Sequence, residues 1–311
     1  MASVTLAESA KLALDMLVAG VIENIITVNK MYQLLPFDDI DGNSLAYNRE
    51  NVLGDVINAG VGTTFSGAGA GKGAATFTLV NSNLTTIMGD APVNGLIQAT
   101  RSDNGNDQTA VQIASKAKSA GRQFQTQLVT GTGASNQFTG LLNLVSAGQK
   151  GALSGTNGSN LSFTIMDEMI DLVVDKDGAV DYILMPARTI RSYKVLLRAL
   201  GGVTINETVS LPNGDTVMGY SSIPIFRNDY LPVNQTKGTG TNCTTIFAGT
   251  FDDGSRTHGI AGLTASKASG IQIVDVGEAE DSDEHIWRVK WYCGLALFSD
   301  KGLAAADGIL N

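Results

Sequence analysis

The chain has 311 residues, 36 of them glycine and 6 proline, with a hydrophobic fraction of 43% and a net charge of −9. That length accommodates a sizeable core and either two domains or one domain with long excursions. The acidic balance argues against a protein that grips nucleic-acid phosphates, an affinity that comes from Lys and Arg, and no basic cluster stands out in the sequence to reverse it. Cys243 and Cys293 lack metal-ligand or CxxC spacing, so neither a disulfide scaffold nor a zinc site is expected, and two lone thiols fit a reducing cytoplasm. The first residues carry Glu8 and Asp15 and read as no secretory signal, and no apolar run is long enough for a membrane span.

In chain order, residues 5–28 read as an amphipathic helix capped by Thr5. Leu6, Ala10, Leu14, Leu17, Val18, Val21, Ile22 and Ile25 lie on one face, as in an arm that docks elsewhere or in an ordinary N-terminal helix. Ser44 to Ile57 and Ala74 to Val80 read as extended. Between them, Gly60 to Gly73 is too glycine-rich for a helix and too long for a tight turn, so the segment is a two-stranded excursion with a flexible tip. Such a hairpin is marginal alone in water and needs a surface to lie on. Gly71-Lys72 is no phosphate loop: Ser66 stands where that pattern needs glycine, and Gly73 where it needs Ser or Thr.

Residues 81–100 mix short apolar runs with Gly89, Pro92 and Gly95. The spacing then predicts a long spine helix over 107–130, with Asn106 or Asp107 as N-cap and Gly131 as C-cap. Its narrow stripe is Val111, Ala114, Ala117, Gly121, Phe124 and Leu128. The Gly, Ser and Asn-rich stretch 146–160 is a candidate boundary. A second helix is expected from a Thr164 cap to about Val174, with Asp167 and Glu168 in its first turn. Tyr182 to Met185 reads as a buried strand, and Pro186 opens a helix with Ile190, Tyr193, Leu197 and Leu200 at helical spacing, stopped by Gly201-Gly202. Helix, strand and helix in succession predict an α+β layer. Short strands and turns follow over 203–267. The last unit is a hairpin of Ile271–Val276 and His285–Phe298, with Trp287, Val289, Trp291, Cys293, Leu295 and Leu297 on one face. Its loop, with Asp275, Glu278, Glu280, Asp281, Asp283 and Glu284, matches no calcium pattern and reads as solvated and self-repelling.

Chemistry has few candidates. Ser255 lies near His258 outside any GxSxG elbow, and His285 opens a strand beside acids. No catalytic residue, metal ligand or cofactor is assigned.

Several segments together resemble a known family. LAESAKLALDMLVAGVIENIITVNKMYQLLPF, GNSLAYNRE, NQFTGLLNLV, DYILMPARTIRSYKVLLRALGG, GYSSIPIFRNDYLP and RVKWYCGLALFSDKGLAAADGI are similar to stretches of major capsid proteins of tailed bacteriophages, of the Hong Kong 97 type. The resemblance implies an α+β capsid fold. Residues 1–40 would be an N-terminal arm, and 41–80 an extended loop reaching over an adjacent subunit. Residues 81–163 and 268–300 would form a peripheral domain around the spine helix, and 164–267 and 301–311 an axial domain. It further implies a structural protein that is not an enzyme, forming pentamers and hexamers that close an icosahedral shell around double-stranded DNA. Separate scaffolding, portal and cement proteins would be its partners. Its place would be the virion, assembled in the bacterial host cytoplasm, without membrane. Arg49, Glu50, Phe65 and Lys72 are the expected inter-subunit contacts. A Lys72 isopeptide crosslink is not expected, because no Asn partner or activating acid can be identified. The alternatives are an encapsulin-type compartment, a hydrolase using His258 or His285, and a β-rich adhesin, which the spine helix and thiols disfavour.

Overall fold

The computed structural model describes residues 31, 34–67, 69–101, 107–151, 154–174, 178–199, 208–212 and 214–310. The helix expected over 5–28, the cap Asn106 and the Gly201-Gly202 stop lie outside them. The elements are β1 (Phe37–Ile40), β2 (Ser44–Val52), β3 (Thr76–Asn83), β4 (Thr85–Asn94), α1 (Gly95–Arg101), α2 (Gln108–Thr130) and α3 (Leu141–Leu144). Then come β5 (Lys150–Gly151), β6 (Ser159–Asn160), α4 (Phe163–Val174), β7 (Tyr182–Met185) and α5 (Ala187–Ala199). The chain finishes with β8 (Thr208–Ser210), β9 (Thr216–Tyr220), β10 (Ile223–Arg227), β11 (Gln235–Lys237), β12 (Gly240–Gly249), β13 (Ile260–Ala265), β14 (Ile271–Glu278), β15 (Glu284–Leu297) and β16 (Leu303–Leu310).

Among the described residues the strands form three sheets. The first is built on β15. Its N-terminal half pairs antiparallel with β14 on one side and with β4 on the other, and its C-terminal end pairs with β13, which carries β1 in parallel. Fourteen residues let one strand serve three partners. The second sheet is mixed, in the order β5-β16-β12-β7-β10-β9-β8, with β11 and β6 on its margins. Helices α4 and α5 cover it through Ile165, Met166, Met169, Val173 and Tyr193, which are buried on Ile183, Ile225, Ile246 and Ala304. The third is the β2–β3 hairpin.

The spine helix α2 runs as the spacing predicts. Asp107 caps it, its carboxylate accepting from the Thr109 N–H at 2.9 Å, and the Gly131 N–H closes its end on the Gln127 carbonyl. Its buried face is Ala120, Phe124, Gln127 and Leu128, with Ile113 and Ala117 packed beside them. Ala114 is exposed, and a Cβ at Gly121 would meet nothing, so these two leave the expected stripe. The helix lies on β4 and β15; its buried apolar residues fall in the C-terminal half, while Gln108 is buried at its start. Phe124 is the pivot: its ring centroid lies 4.6 Å from Trp291, 5.5 Å from Phe138 and 6.1 Å from Phe37.

Other expectations change. Residues 85–94 form a full strand despite Gly89 and Pro92. Among the described strands β4 pairs only with β15, and an edge position tolerates a proline without an N–H. Helix α4 is capped by Ser162, whose hydroxyl accepts from the Ile165 N–H at 3.3 Å, so Asp167 and Glu168 fall beyond the first turn that a Thr164 cap implied. Within the stretch read as short strands, β12 is ten residues long and central to its sheet. Strand β13 sits in the β15 sheet, while β5 and β6 sit on β16, so sheet membership crosses the partition drawn at 163 and 267.

Arg288 joins the two longest strands of the first sheet. Its Nε and Nη2 bond the Asp90 carboxylate at 2.6 and 2.9 Å, and that bidentate bond holds the Asp90 carboxyl below the usual carboxylate range. A depressed folded value means a contribution present above the unfolded carboxylate range and lost as pH falls through the folded one. Denaturation midpoints should therefore drop as pH falls below about 4, and Asp90→Asn should flatten that part of the profile. An unchanged profile would remove the pair from the acid response. Phe124→Ala should cost about 3–5 kcal/mol in chemical denaturation, as expected for a fully packed ring. A loss under about 1 kcal/mol would contradict its central place.

Candidate assembly surfaces

The β2–β3 hairpin is the feature least explained by its own chain. Strand alternation sends Tyr47 and Arg49 to one face, and Asn48 and Glu50 to the other with their cross-strand partners Leu79 and Phe77. The first face is fastened. The Tyr47 hydroxyl donates to the Leu297 carbonyl at 2.7 Å, and Arg49 Nη2 and Nε donate to the Leu297 and Phe298 carbonyls at 2.6 and 3.2 Å. The Tyr47 ring also meets Phe298 edge-on at 5.2 Å. Leu45 and Tyr47 pack on Ile40, Ala261, Leu263, Ala296 and Phe298. The hairpin thus stands on the C-terminal end of β15.

The other face is open to solvent, with Phe77 and Leu79 standing beside Asn48 and Glu50. Phe77 and Leu79 are 64% and 63% exposed, and Val52, Leu53, Val56 and Val61 are further exposed apolar residues of the same excursion. Solvent does not favour exposed apolar side chains in this number, and such exposure on an outreaching element suits an interaction surface. The tip is built rather than loose. The Asp55 carboxylate accepts from the Gly71 N–H at 3.0 Å, and the Asp55 N–H donates to the Gly73 carbonyl at 3.1 Å. Gly71 has φ +84°, and a Cβ there would strike the Phe65 ring at 2.6 Å, so Phe65 folds back across the glycine.

Of the four residues expected between subunits, Glu50 lies on the open face and Lys72 at the tip. Phe65 is 45% exposed beside Gly71. Arg49 is spent on carbonyls of its own chain. Tyr47, its companion in the anchor, carries no sequence signal beyond strand alternation.

A second surface is β14. Among the described strands it pairs only with β15, and Ile271, Ile273, Val274 and Val276 show on both its faces. An apolar edge strand is a template for pairing unless something covers it. The acidic segment after it is a closed turn: the Ala279 N–H bonds the Glu284 carbonyl at 2.9 Å, and the Gly95 N–H bonds the Asp283 carbonyl at 3.0 Å. These bonds organise a loop expected to be merely solvated.

The two histidines stand apart from each other and in the open. His285 Nε2 is 2.6 Å from Asp275 Oδ1. His258 Nδ1 is 3.0 Å from Thr257 Oγ1, which in turn is 2.6 Å from Ser255 Oγ. Thr257 therefore stands between serine and imidazole, where a nucleophile–base pair needs direct contact. The same loop has a structural tie, since Arg256 Nε bonds Asp38 Oδ2 at 2.8 Å and joins it to β1. Both thiols are buried, and burial pushes that of Cys293 up to about 12. Among the described residues no helix is long and apolar enough to cross a membrane.

Arg49→Ala should speed amide hydrogen exchange across β2 and β3 while the Phe124 region keeps its protection. Unchanged exchange in the hairpin would mean that Tyr47 and the apolar base hold it alone.

No protein-family model matches this sequence, and no curated protein matches it. Solved structures do match in shape over nearly the whole chain. The SrpI encapsulin of Synechococcus elongatus superposes with TM-score 0.72 at 17% identity, covering 99% of this chain and 96% of that one. The major capsid protein of phage G superposes with TM-score 0.64 at 10% identity and full coverage of both chains. The capsid of Myoviridae phage XM1 gives 0.60 at 13% identity, covering 99% and 100%. At such identities the likeness is one of fold, and the fold of this chain is that of the Hong Kong 97-type capsid proteins.

Proposed function

We propose that the chain is the major capsid subunit of a tailed bacteriophage, assembling as pentamers and hexamers into an icosahedral shell around double-stranded DNA. The observation that carries this reading is the extended hairpin, fastened at its base and exposing Phe77 and Leu79 on its open face, in a chain whose described residues have the capsid fold. In an isolated subunit that face is a liability; in a shell it is contact area. Glu50, Phe65 and Lys72 would meet a neighbouring subunit there. The exposed β14 edge gives a second contact, and repeated contacts between linked subunits make a closed shell strong without tight pairwise binding. The β15 sheet with the spine helix would be the peripheral domain and the β12 sheet with α4 and α5 the axial one. Scaffolding, portal and cement proteins would be its partners, and the virion its place. A shell role needs no catalysis.

A second reading has its own support. The encapsulin superposes with a higher TM-score than either phage structure described above, so a protein-storing compartment is the alternative. The contents of purified shells separate the two: encapsidated nucleic acid supports the phage reading, and a co-purifying protein cargo without nucleic acid supports the compartment.

Deleting Gly62 to Gly73 should leave a subunit that melts as a folded protein and cannot close shells. Shells of normal size from this variant would show that the hairpin tip is not an assembly element.

A further inference from the structure

Helix α5 carries Arg188, Arg191, Lys194 and Arg198 and no acidic residue. The sequence from 182 to 206 has these four cations and no Asp or Glu, in a chain of net charge −9. Read linearly this is an unremarked stretch; folding turns it into a row. At 3.6 residues per turn the four positions fall within about a third of the helix circumference. Thr189 and Tyr193 are buried on the opposite side, against the second sheet. Arg191, Lys194 and Arg198 are exposed, and none of the ion pairs among the described residues involves them. Arg188, at the start of the row, donates through Nη2 to the Asn242 carbonyl and is partly committed. The three free cations span roughly 10 Å of helix, a length over which a duplex presents about six phosphate charges.

We infer that this row is a sequence-independent contact for the nucleic-acid backbone, an inference that rests on reading the chain as the subunit of a DNA-enclosing shell. Arginine forks and a lysine suit phosphate oxygens, and contacts of this kind carry no base information. A protein partner would want an apolar centre, and on this helix the only large apolar side chain that is exposed is Val195. The net charge does not oppose the contact, because the acids cluster elsewhere, above all between Asp275 and Glu284, and salt screens charges beyond about 10 Å.

The test is fluorescence anisotropy of a short labelled DNA duplex with the full-length subunit, kept below its assembly concentration, from about 50 to about 200 mM salt. Three phosphate contacts predict a slope of log affinity against log salt of about −2.7, an affinity loss of about 40-fold across that range. Arg198→Gln should bring the slope to about −1.8. The triple variant Arg191→Gln, Lys194→Gln, Arg198→Gln should abolish the salt dependence, and Arg198→Lys should keep it, which separates loss of charge from loss of fold. Wild-type protein without salt-dependent binding, or a triple variant with the wild-type slope, overturns the inference. So does a triple variant that binds DNA normally but loses subunit association, since the row then serves a protein partner such as the acidic turn of a second copy. The subunit assay does not require shells. A wild-type chain that binds with the expected slope and never assembles would sink the shell reading alone, and one that assembles without salt-dependent binding would sink the row alone.

Discussion

Strand Glu284–Leu297 and the cluster of tilted rings on its inner face are the constraint on which the rest depends. The strand hydrogen-bonds to β4, β13 and β14, and Trp291 on it meets Phe124 of the spine helix at 4.6 Å. The carbonyl of its last residue, Leu297, and that of Phe298 receive the hairpin's Tyr47 and Arg49. One element thus sets the position of the helix, the sheet and the outreaching hairpin. An aromatic pair adds about 0.5–1.5 kcal/mol to the burial of its area, but the geometric role matters more. The helix is pinned at Phe124, and the hairpin leaves the body at a fixed place.

This division of labour explains why so much apolar surface is left open. The core is satisfied by the two large sheets and by α2, α4 and α5, with buried residues such as Leu128, Met166, Phe247 and Leu303 at or near zero exposure. Val52, Leu53, Phe77 and Leu79 on the hairpin, and Ile273 and Val276 on β14, have no such cover. A monomeric protein gains nothing from them. A subunit that repeats around a shell, as proposed, would gain from them, because an uncovered face that meets a copy does so at every contact.

Much of this was legible in the sequence, for identifiable reasons. The spine helix, β7, α5 and β15 have strong periodicity and clear stops. The hairpin announced itself by two extended runs around glycines. What failed was what periodicity does not encode. Gly89 and Pro92 hid β4, because only pairing shows that a strand is an edge. Ser162 and Thr164 are both good caps by type, and only the Ile165 N–H chooses between them. The intrachain partners of Arg49, two carbonyls some 250 positions away, also have no sequence signature. The basic row on α5 follows from the expected helix but not from the linear sequence: four cations dispersed over eleven positions become a patch only once the helix turns them to one side.

The central claim is that this chain is built to assemble, and it is tested most directly by electron microscopy of the purified protein with sedimentation velocity on the same sample. The account predicts closed polyhedral shells, or capsomers of five and six subunits that sediment as discrete large species. A protein that stays a monomer or dimer at every concentration and salt, with and without a co-expressed scaffold, would contradict it.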